Sequence, residues 1–115
     1  MQSVGAASAA RAPMHLVQVL LPIADNEGHS FQRSAYDRVR FELAERYGGV
    51  TAYLRAPAEG LWKESPGRVS CDDVVIYEVM ADRLDRAWWS TYRQTLEERF
   101  RQEEIVVRAS VIERL

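Results

Sequence analysis

Cysteine is almost absent from this sequence of 115 residues, in which Cys71 is the only one. A single thiol cannot close an internal disulfide, and it cannot supply the cysteine pairs of a structural zinc site. The fold must therefore be stabilised by its own hydrophobic core. Because small domains of oxidising compartments are usually rich in disulfides, the composition indicates a cytoplasmic protein.

An excess of basic charge is also missing. The chain has 15 Lys and Arg against 17 Asp and Glu, which gives a formal net charge of −2. Proteins that bind nucleic acids or anionic membranes usually carry a basic patch that attracts phosphates. We therefore expect neither a nucleic acid nor a membrane as a partner.

Long hydrophobic runs are missing as well. The most apolar stretch, residues 16–24, is interrupted by Gln18 and Pro22. A helix that spans a membrane needs about 20 apolar residues in succession. The sequence therefore predicts no membrane span.

Sequence motifs of known catalytic sites are not found. The chain contains neither GxSxG nor HExxH, and it has no glycine-rich phosphate-binding loop. Asp25, Glu27 and His29 alternate in one short segment, but Asn26 and Gly28 between them are typical of a tight turn. We interpret this segment as a turn, and we expect no metal and no cofactor.

The beginning of the chain differs in composition from the rest. Residues 1–13 hold many small side chains and one charge, and their apolar residues show no periodicity. Such a segment cannot bury enough apolar surface to become ordered. We expect residues 1–13 to be a disordered tail and residues 14–115 to form a single domain.

Four segments of this domain have the composition of β-strands. The first starts at His15, and the others cover residues 50–56, 72–80 and 104–112. They are rich in aliphatic and β-branched side chains, which favour extended structure.

Two further segments have the periodicity of amphipathic helices. Ser30 or Ser34 is a suitable N-cap for the first helix, and the glycines at 48–49 favour its end. Asp82 or Asp85 can cap the second helix. The apolar positions recur at spacings of three, four and seven residues. They are Tyr36, Val39, Leu43, Ala44 and Tyr47 in the first helix, and Trp88, Trp89, Tyr92, Leu96 and Phe100 in the second.

The order of these elements is strand, helix, strand, strand, helix, strand. Two interlocked right-handed βαβ units of this kind form an antiparallel sheet with the strand order 4-1-3-2 and with both helices on one face. The sequence therefore predicts an α+β protein with the ferredoxin-like split βαβ fold. The second face of its sheet, the open face, is left without helices.

The alternation of side chains along a strand shows which residues share a face. Gln18, Glu78 and Arg108 lie on the less apolar sides of their strands. Since the helices usually cover the more apolar face of a sheet, we expect these three residues together on the open face. For the second strand the pattern leaves undecided whether Tyr53 and Arg55 or Ala52 and Leu54 lie on the open face.

Glu78 has two interpretations. A carboxylate on a central strand among apolar side chains is partly desolvated unless a cation pairs with it. In one interpretation Arg108 or Arg55 pairs with Glu78, and the ion pair fixes how a second sheet docks. In the other, Glu78 is the catalytic acid or base of an apolar pocket. His15, at the start of the first strand, is a second candidate for a catalytic base.

The open face carries more apolar surface than a monomer should expose. Two such sheets packed face to face would cover this surface and form a dimeric α/β barrel, so we expect a homodimer. The apolar residues expected on the open face are Leu16, Leu20, Val74, Ile76, Met80, Val106 and Ile112.

Trp62 lies in the long irregular connection between the second and third strands. A large aromatic residue in such a loop usually either anchors the loop or covers a pocket. We therefore include Trp62 among the candidate ligand-binding residues. The full set is Gln18, Tyr53, Arg55, Trp62 and Arg108.

Two stretches of the chain carry a family resemblance. RYGGVTAYLRAPAEGLWK and RAWWSTYRQTLEERFRQEEIVVR resemble a group of small bacterial proteins of the ferredoxin-like or dimeric α/β barrel type. The shared features are a glycine at Gly48 or Gly49, the loop residue Trp62, and the pair Gln102-Glu103. The resemblance covers most of residues 14–112 and implies the fold but no activity.

Three functions are consistent with these features. The first is a homodimer that binds a small organic ligand between its sheet and the partner subunit. The second is a cofactor-free oxygenase or isomerase acting on a small anionic or aromatic substrate, with Glu78 or His15 as base. The third is a non-enzymatic module that binds another protein through the open face. The fold alone does not decide between them.

Overall fold

The computed structural model of the chain describes residues 13–55 and 74–115, without the side chain of Arg55. The part of the predicted tail at residues 1–12, the connection that contains Trp62, and Cys71 lie outside the described residues. The described elements, in chain order, are β1 (Met14–Pro22), α1 (Arg33–Tyr47), β2 (Thr51–Arg55), β3 (Val74–Ala81), α2 (Arg86–Arg99) and β4 (Val106–Ile112).

The four strands form one sheet in the order β2-β3-β1-β4, and every neighbouring pair is antiparallel. This is the predicted strand order read from the other edge. Together with the βαββαβ order of elements, it confirms the ferredoxin-like split βαβ fold. The two chain-terminal strands are therefore neighbours, and β1 and β3 occupy the centre of the sheet.

The hydrophobic core lies between the helices and one face of the sheet. Val17, Val19 and Leu21 of β1 point into it and are at most 1% exposed. Burying one large aliphatic side chain contributes roughly 1.5–3 kcal/mol, so this face accounts for much of the fold's stability. The other core residues are Val39, Leu43, Tyr77, Val79, Trp89, Tyr92, Leu96, Phe100 and Ile105.

Helix α1 begins without a side-chain cap. Its N-cap is Gln32, whose side chain makes no capping hydrogen bond. The prediction of Ser30 or Ser34 as the cap is therefore wrong, because Ser34 already lies inside the first helical turn. The end of α1 is as predicted: Gly48 adopts the left-handed conformation with φ 78°, and its N–H donates to the carbonyl of Ala44 at 2.8 Å.

Helix α2 is capped by Asp85, one of the two predicted residues. The Asp85 carboxylate accepts a hydrogen bond from the backbone N–H of Trp88 at 3.1 Å. Trp89 enters the core, whereas Trp88 packs at the edge, where the guanidinium of Arg46 lies 4.2 Å from its ring centre. No helix in the described ranges has a stretch long and apolar enough to cross a bilayer.

A charged contact joins the two helices. Arg99 donates two hydrogen bonds to the carboxylate of Glu42, at 2.7 and 2.6 Å, and the Tyr92 hydroxyl donates a third at 2.9 Å. Burial acts to raise the pKa of Glu42, but the hydrogen bonds from Arg99 and Tyr92 outweigh it and lower the pKa. Burial, reinforced by the hydrogen bond to Glu42, raises the pKa of Tyr92.

Strand β4 starts later than the sequence predicts. The predicted strand covers residues 104–112, but Ile105 is not part of the ladder. Its backbone N–H donates instead to the carboxylate of Glu97 on α2 at 3.0 Å. The side chain of Ile105 is 2% exposed, so its apolar character reflects core burial before the strand begins at Val106.

Candidate functional site

The polar side chains of the open face are brought together by strand register. Gln18 lies on β1 directly opposite Glu78 of β3 on one side and directly opposite Arg108 of β4 on the other. Side chains of directly opposed residues point to the same face of a sheet. The expectation that Gln18, Glu78 and Arg108 share the open face is thereby confirmed.

Gln18 connects the acidic and the basic residue. Its amide nitrogen donates to the Glu78 carboxylate at 2.5 Å, and its amide oxygen accepts from the Arg108 guanidinium at 2.8 Å. A side-chain amide has both a donor and an acceptor, so its orientation here is fixed by the charges on either side. The two charges are therefore held apart by one amide and do not form a direct ion pair.

Tyr53 extends this arrangement to β2, the remaining strand of the sheet. Its hydroxyl donates to the Glu78 carboxylate at 3.0 Å and accepts from the Gln18 amide at 3.3 Å. These contacts place Tyr53 on the open face, which the alternation of β2 left undecided. The hydrogen bond to Glu78, with a smaller effect of burial, raises the pKa of the Tyr53 phenol. Gln18, Tyr53, Glu78 and Arg108 together are called the open-face network below.

A cleft of about 490 Å³ lies beside the open-face network. Strand β2 starts at Thr51, opposite Glu78, so the last residues of β3 continue past it without a neighbouring strand on that side. Beside this end of β3, the turn between α1 and β2 forms the wall of the cleft. The cleft, called the Glu78 cleft below, is lined by Leu16, Tyr47, Gly48, Gly49, Val50, Thr51, Glu78, Val79 and Met80.

The Glu78 cleft combines apolar walls with a few polar groups. Leu16, Val50 and Met80 supply aliphatic surface, Thr51 supplies a hydroxyl, and Glu78 supplies a carboxylate. Pockets of a few hundred Å³ with apolar walls and few polar groups are typical of small-molecule sites. None of the described residues that line this cleft is a cation.

His15 lies away from this site. It is three residues before Gln18 on β1, so its side chain points to the opposite face, the same face as Val17. Its Nδ1 is buried and has no hydrogen-bond partner among the described residues. The two candidate catalytic residues, His15 and Glu78, are therefore not brought together.

The remaining predicted site residues are only partly described. Arg55 is the last residue of β2 and pairs with Val74, four positions along β2 from Thr51; its side chain is outside the described part. Trp62 also lies outside the described residues. Arg108 belongs to the open-face network but does not line the Glu78 cleft.

The apolar residues of the open face are less exposed than the sequence suggests. Ile76 is 2% exposed in the single chain, which is contrary to the expectation that a second subunit or a ligand would be needed to cover it. Met80 and Val106 are 47% and 46% exposed. Leu16, Leu20, Val74 and Ile112 are half-buried. The surface left for a partner is therefore smaller than expected, and it is concentrated at Met80 and Val106.

The segment around Asp25 forms a turn, as predicted. The Asp25 carboxylate accepts hydrogen bonds from the backbone N–H groups of Glu27 at 2.9 Å and His29 at 2.8 Å. The hydrogen bond from His29 is the main cause of the lowered pKa of Asp25. Side-chain ligand atoms of Asp25, Glu27 and His29 lie within 4.8 Å of one another, but the backbone bonds account for this clustering.

Several residues of the site were not among those predicted. Thr51 and the glycines at 48–49 line the Glu78 cleft because β2 starts opposite Glu78 while β3 continues to Ala81. Leu16 and Met80 were predicted only as interface residues. The glycines at 48–49, which end α1 just before β2 begins, are the sequence feature that marks this position.

Protein-family models, curated proteins and solved structures were compared with the chain, and none of them matches it. The function must therefore be argued from the geometry of the open face and its cleft.

Proposed function

We propose that the protein is a cytoplasmic homodimer that binds a small organic molecule in the Glu78 cleft, at the rim of a subunit interface on the open face. One observation carries the proposal: the open-face network holds the carboxylate of Glu78 beside a cleft of about 490 Å³. The single cysteine supports a reducing compartment.

The distribution of charge on the open face suits a second copy of the chain. Glu78 and Arg108 lie on opposite sides of Gln18. A two-fold axis near Gln18 would therefore bring Arg108 of the partner subunit over Glu78, and the reverse. Symmetric dimers use the same patch on both subunits, which must be self-complementary. The exposed Met80 and Val106 would supply the apolar part of the interface.

The chemistry of the Glu78 cleft favours a ligand that donates a hydrogen bond. Glu78 is an acceptor when ionised, and none of the described residues lining the cleft offers positive charge to an anion. The apolar walls favour a hydrocarbon body. The proposed ligand is therefore a small apolar or aromatic molecule with a hydroxyl or amino group, rather than a carboxylate.

The dimer is tested by a charge exchange on the open face. Sedimentation velocity at micromolar concentration should show a dimer for the wild type. Arg108→Glu should weaken it, because it places two acidic side chains together, and Glu78→Arg/Arg108→Glu should restore it. Arg40→Glu, on the exposed side of α1, is the matched control. A monomeric wild type, or equal weakening by Arg40→Glu, would contradict the dimer.

Ligand binding is tested with benzylamine as the probe and benzoate as its anionic counterpart. In ¹H–¹⁵N NMR spectra, benzylamine should shift the amides of Thr51 and Met80, whereas benzoate should not. Glu78→Gln should weaken benzylamine binding, and Glu104→Gln, at an exposed position before β4, should not. Equal binding of both probes at these amides would contradict a site defined by the Glu78 carboxylate.

A catalytic role is the second candidate, and the Tyr53–Glu78 hydrogen bond favours it. A phenol and a carboxylate within 3.0 Å form a pair that can donate and accept protons. In an isomerase or cofactor-free oxygenase, Glu78 would be the base and the Glu78 cleft would hold the substrate. Turnover of a bound ligand that is lost in both Glu78→Gln and Tyr53→Phe would support this role, and binding without turnover would contradict it.

A further inference from the structure

A second cleft lies between α2 and β4, on the helical side of the sheet. Its volume is about 370 Å³, and none of the described residues that line it also lines the Glu78 cleft. Val107 and Ala109 of β4 and Trp89 of α2 supply apolar surface, and Arg86, Ser90 and Arg93 of α2 supply polar groups. These residues define what is called the α2–β4 cleft.

The polar residues of the α2–β4 cleft follow from helix geometry. Arg86, Ser90 and Arg93 stand at positions i, i+4 and i+7 of α2, so they lie on one side of the helix over two turns. This side faces the helical side of β4, where Ala109 is exposed. Two guanidinium groups and a hydroxyl are thereby placed along one apolar floor.

The charge of the α2–β4 cleft is positive. None of the described residues that line it is acidic. Arg93 pairs with Glu97 at 2.8 Å, one turn further along α2. Arg86 is exposed and forms no ion pair with any described residue. A guanidinium beside apolar surface is a common anchor for a carboxylate.

Trp89 gives an independent indication of a ligand. Its side chain is 5% exposed, and its indole N–H is buried with no acceptor among the described residues. Buried donors are nearly always hydrogen-bonded in folded proteins, so an unsatisfied one needs an explanation. Trp89 also forms part of the wall of the α2–β4 cleft, so a ligand held there would lie against its side chain.

The geometry points to a binding site for a small organic carboxylate in the α2–β4 cleft. The carboxylate pairs with Arg86 and Arg93 and offers an acceptor to the Trp89 indole. The apolar body of the ligand lies on Val107 and Ala109. This site is of opposite charge to the Glu78 cleft and does not depend on the function proposed for it.

Benzoate is the probe that tests this site, with benzyl alcohol as the neutral control of similar size. In ¹H–¹⁵N NMR spectra of the whole chain, benzoate should shift the indole N–H signal of Trp89 and the amides of Val107 and Ala109, and the shifts should saturate. Arg86→Gln should raise the benzoate dissociation constant by about tenfold or more, the loss expected for one hydrogen bond to a charged group. Arg40→Gln, on α1, should leave it unchanged.

The variant Trp89→Phe removes the indole N–H but keeps an aromatic ring, so it tests the hydrogen bond separately from the ring. Benzoate should bind this variant more weakly than the wild type. If the variant does not fold, the indole shift in the wild type and the comparison of Arg86→Gln with Arg40→Gln still decide the question. Equal binding of benzyl alcohol at Trp89, equal effects of the two arginine substitutions, or no saturable benzoate shift would overturn the site. Because the affected amides differ, this result is independent of the benzylamine result at the Glu78 cleft.

Discussion

The phenol of Tyr53 and the carboxylate of Glu78 meet diagonally across the β2–β3 pair, at a distance of 3.0 Å. Tyr53 is directly opposite Ile76, so it reaches along the sheet by two residues to contact Glu78. Long aromatic side chains span this diagonal distance in antiparallel sheets. The contact joins an edge strand to a central strand and defines the acidic end of the open-face network.

The ionisation of Tyr53 should therefore depend on Glu78. The carboxylate accepts a hydrogen bond only from the neutral phenol and repels the phenolate, so it raises the pKa of Tyr53. We expect Glu78→Gln to lower the pKa of Tyr53 towards the ordinary value. NMR titration with ¹³C-labelled tyrosine measures this pKa directly.

Substitution of Gln18 is a control, because Gln18 has the opposite effect on the pKa of Tyr53. Its amide donates to the Tyr53 oxygen, which favours the phenolate and lowers the pKa of Tyr53. Gln18→Ala should therefore not lower this pKa. If both substitutions lowered it, the hydrogen bond to Glu78 would not be the main cause of the shift.

The fold was predictable because local patterns and topology agree. The aliphatic strands and the apolar helix stripes fixed the order of elements, and the βαββαβ order leaves few topologies. That Gln18, Glu78 and Arg108 share one face followed from side-chain alternation. The register, which places Gln18 between Glu78 and Arg108, did not, because alternation shows the face of a residue and not its partner on the next strand. The errors at Ser34 and Ile105 are local, and at Ile105 the tertiary contact with Glu97 decided where β4 begins.

The Glu78 cleft was less predictable because it depends on where β2 starts relative to the end of β3. It exists because β2 starts opposite Glu78 while β3 continues to Ala81. Strand ends of this kind are not marked by composition. The α2–β4 cleft was not foreseen either, because the spacing of Arg86, Ser90 and Arg93 resembles an ordinary charged helix face until Ala109 is seen beneath it.

The contact between Glu42 and Arg99 should stabilise the fold measurably. It is a bidentate ion pair between α1 and α2, and both side chains are less than a third exposed. Removing one partner of such a pair leaves the other without its hydrogen bonds. We expect Glu42→Gln to lower the free energy of unfolding by about 1–3 kcal/mol at neutral pH. Urea denaturation measures the change, and Glu45→Gln, exposed on α1, is the matched control.

The effect of Glu42 should also depend on pH. Its pKa is lowered in the folded protein from an ordinary value of 4.5. Its contribution is therefore fully present above the ordinary pKa and is lost as the pH falls through the folded pKa. The difference in unfolding free energy between wild type and Glu42→Gln should shrink below this range. A difference that stays constant down to acidic pH would show that the contact acts through packing and not through charge.

The turn between α1 and β2 offers a test of backbone conformation at the wall of the Glu78 cleft. Gly48 has φ 78°, a conformation that is costly for residues with a Cβ, whereas Gly49 lies outside this left-handed region. In the described part of the chain, neither position has an atom within 4 Å of an added Cβ, so no steric clash distinguishes them there. We expect Gly48→Ala to lower the free energy of unfolding by about 1 kcal/mol, and Gly49→Ala to change it by less than about 0.5 kcal/mol. Thermal and urea denaturation of the pair measure this, and equal effects would mean that the left-handed end of α1 is not what requires glycine.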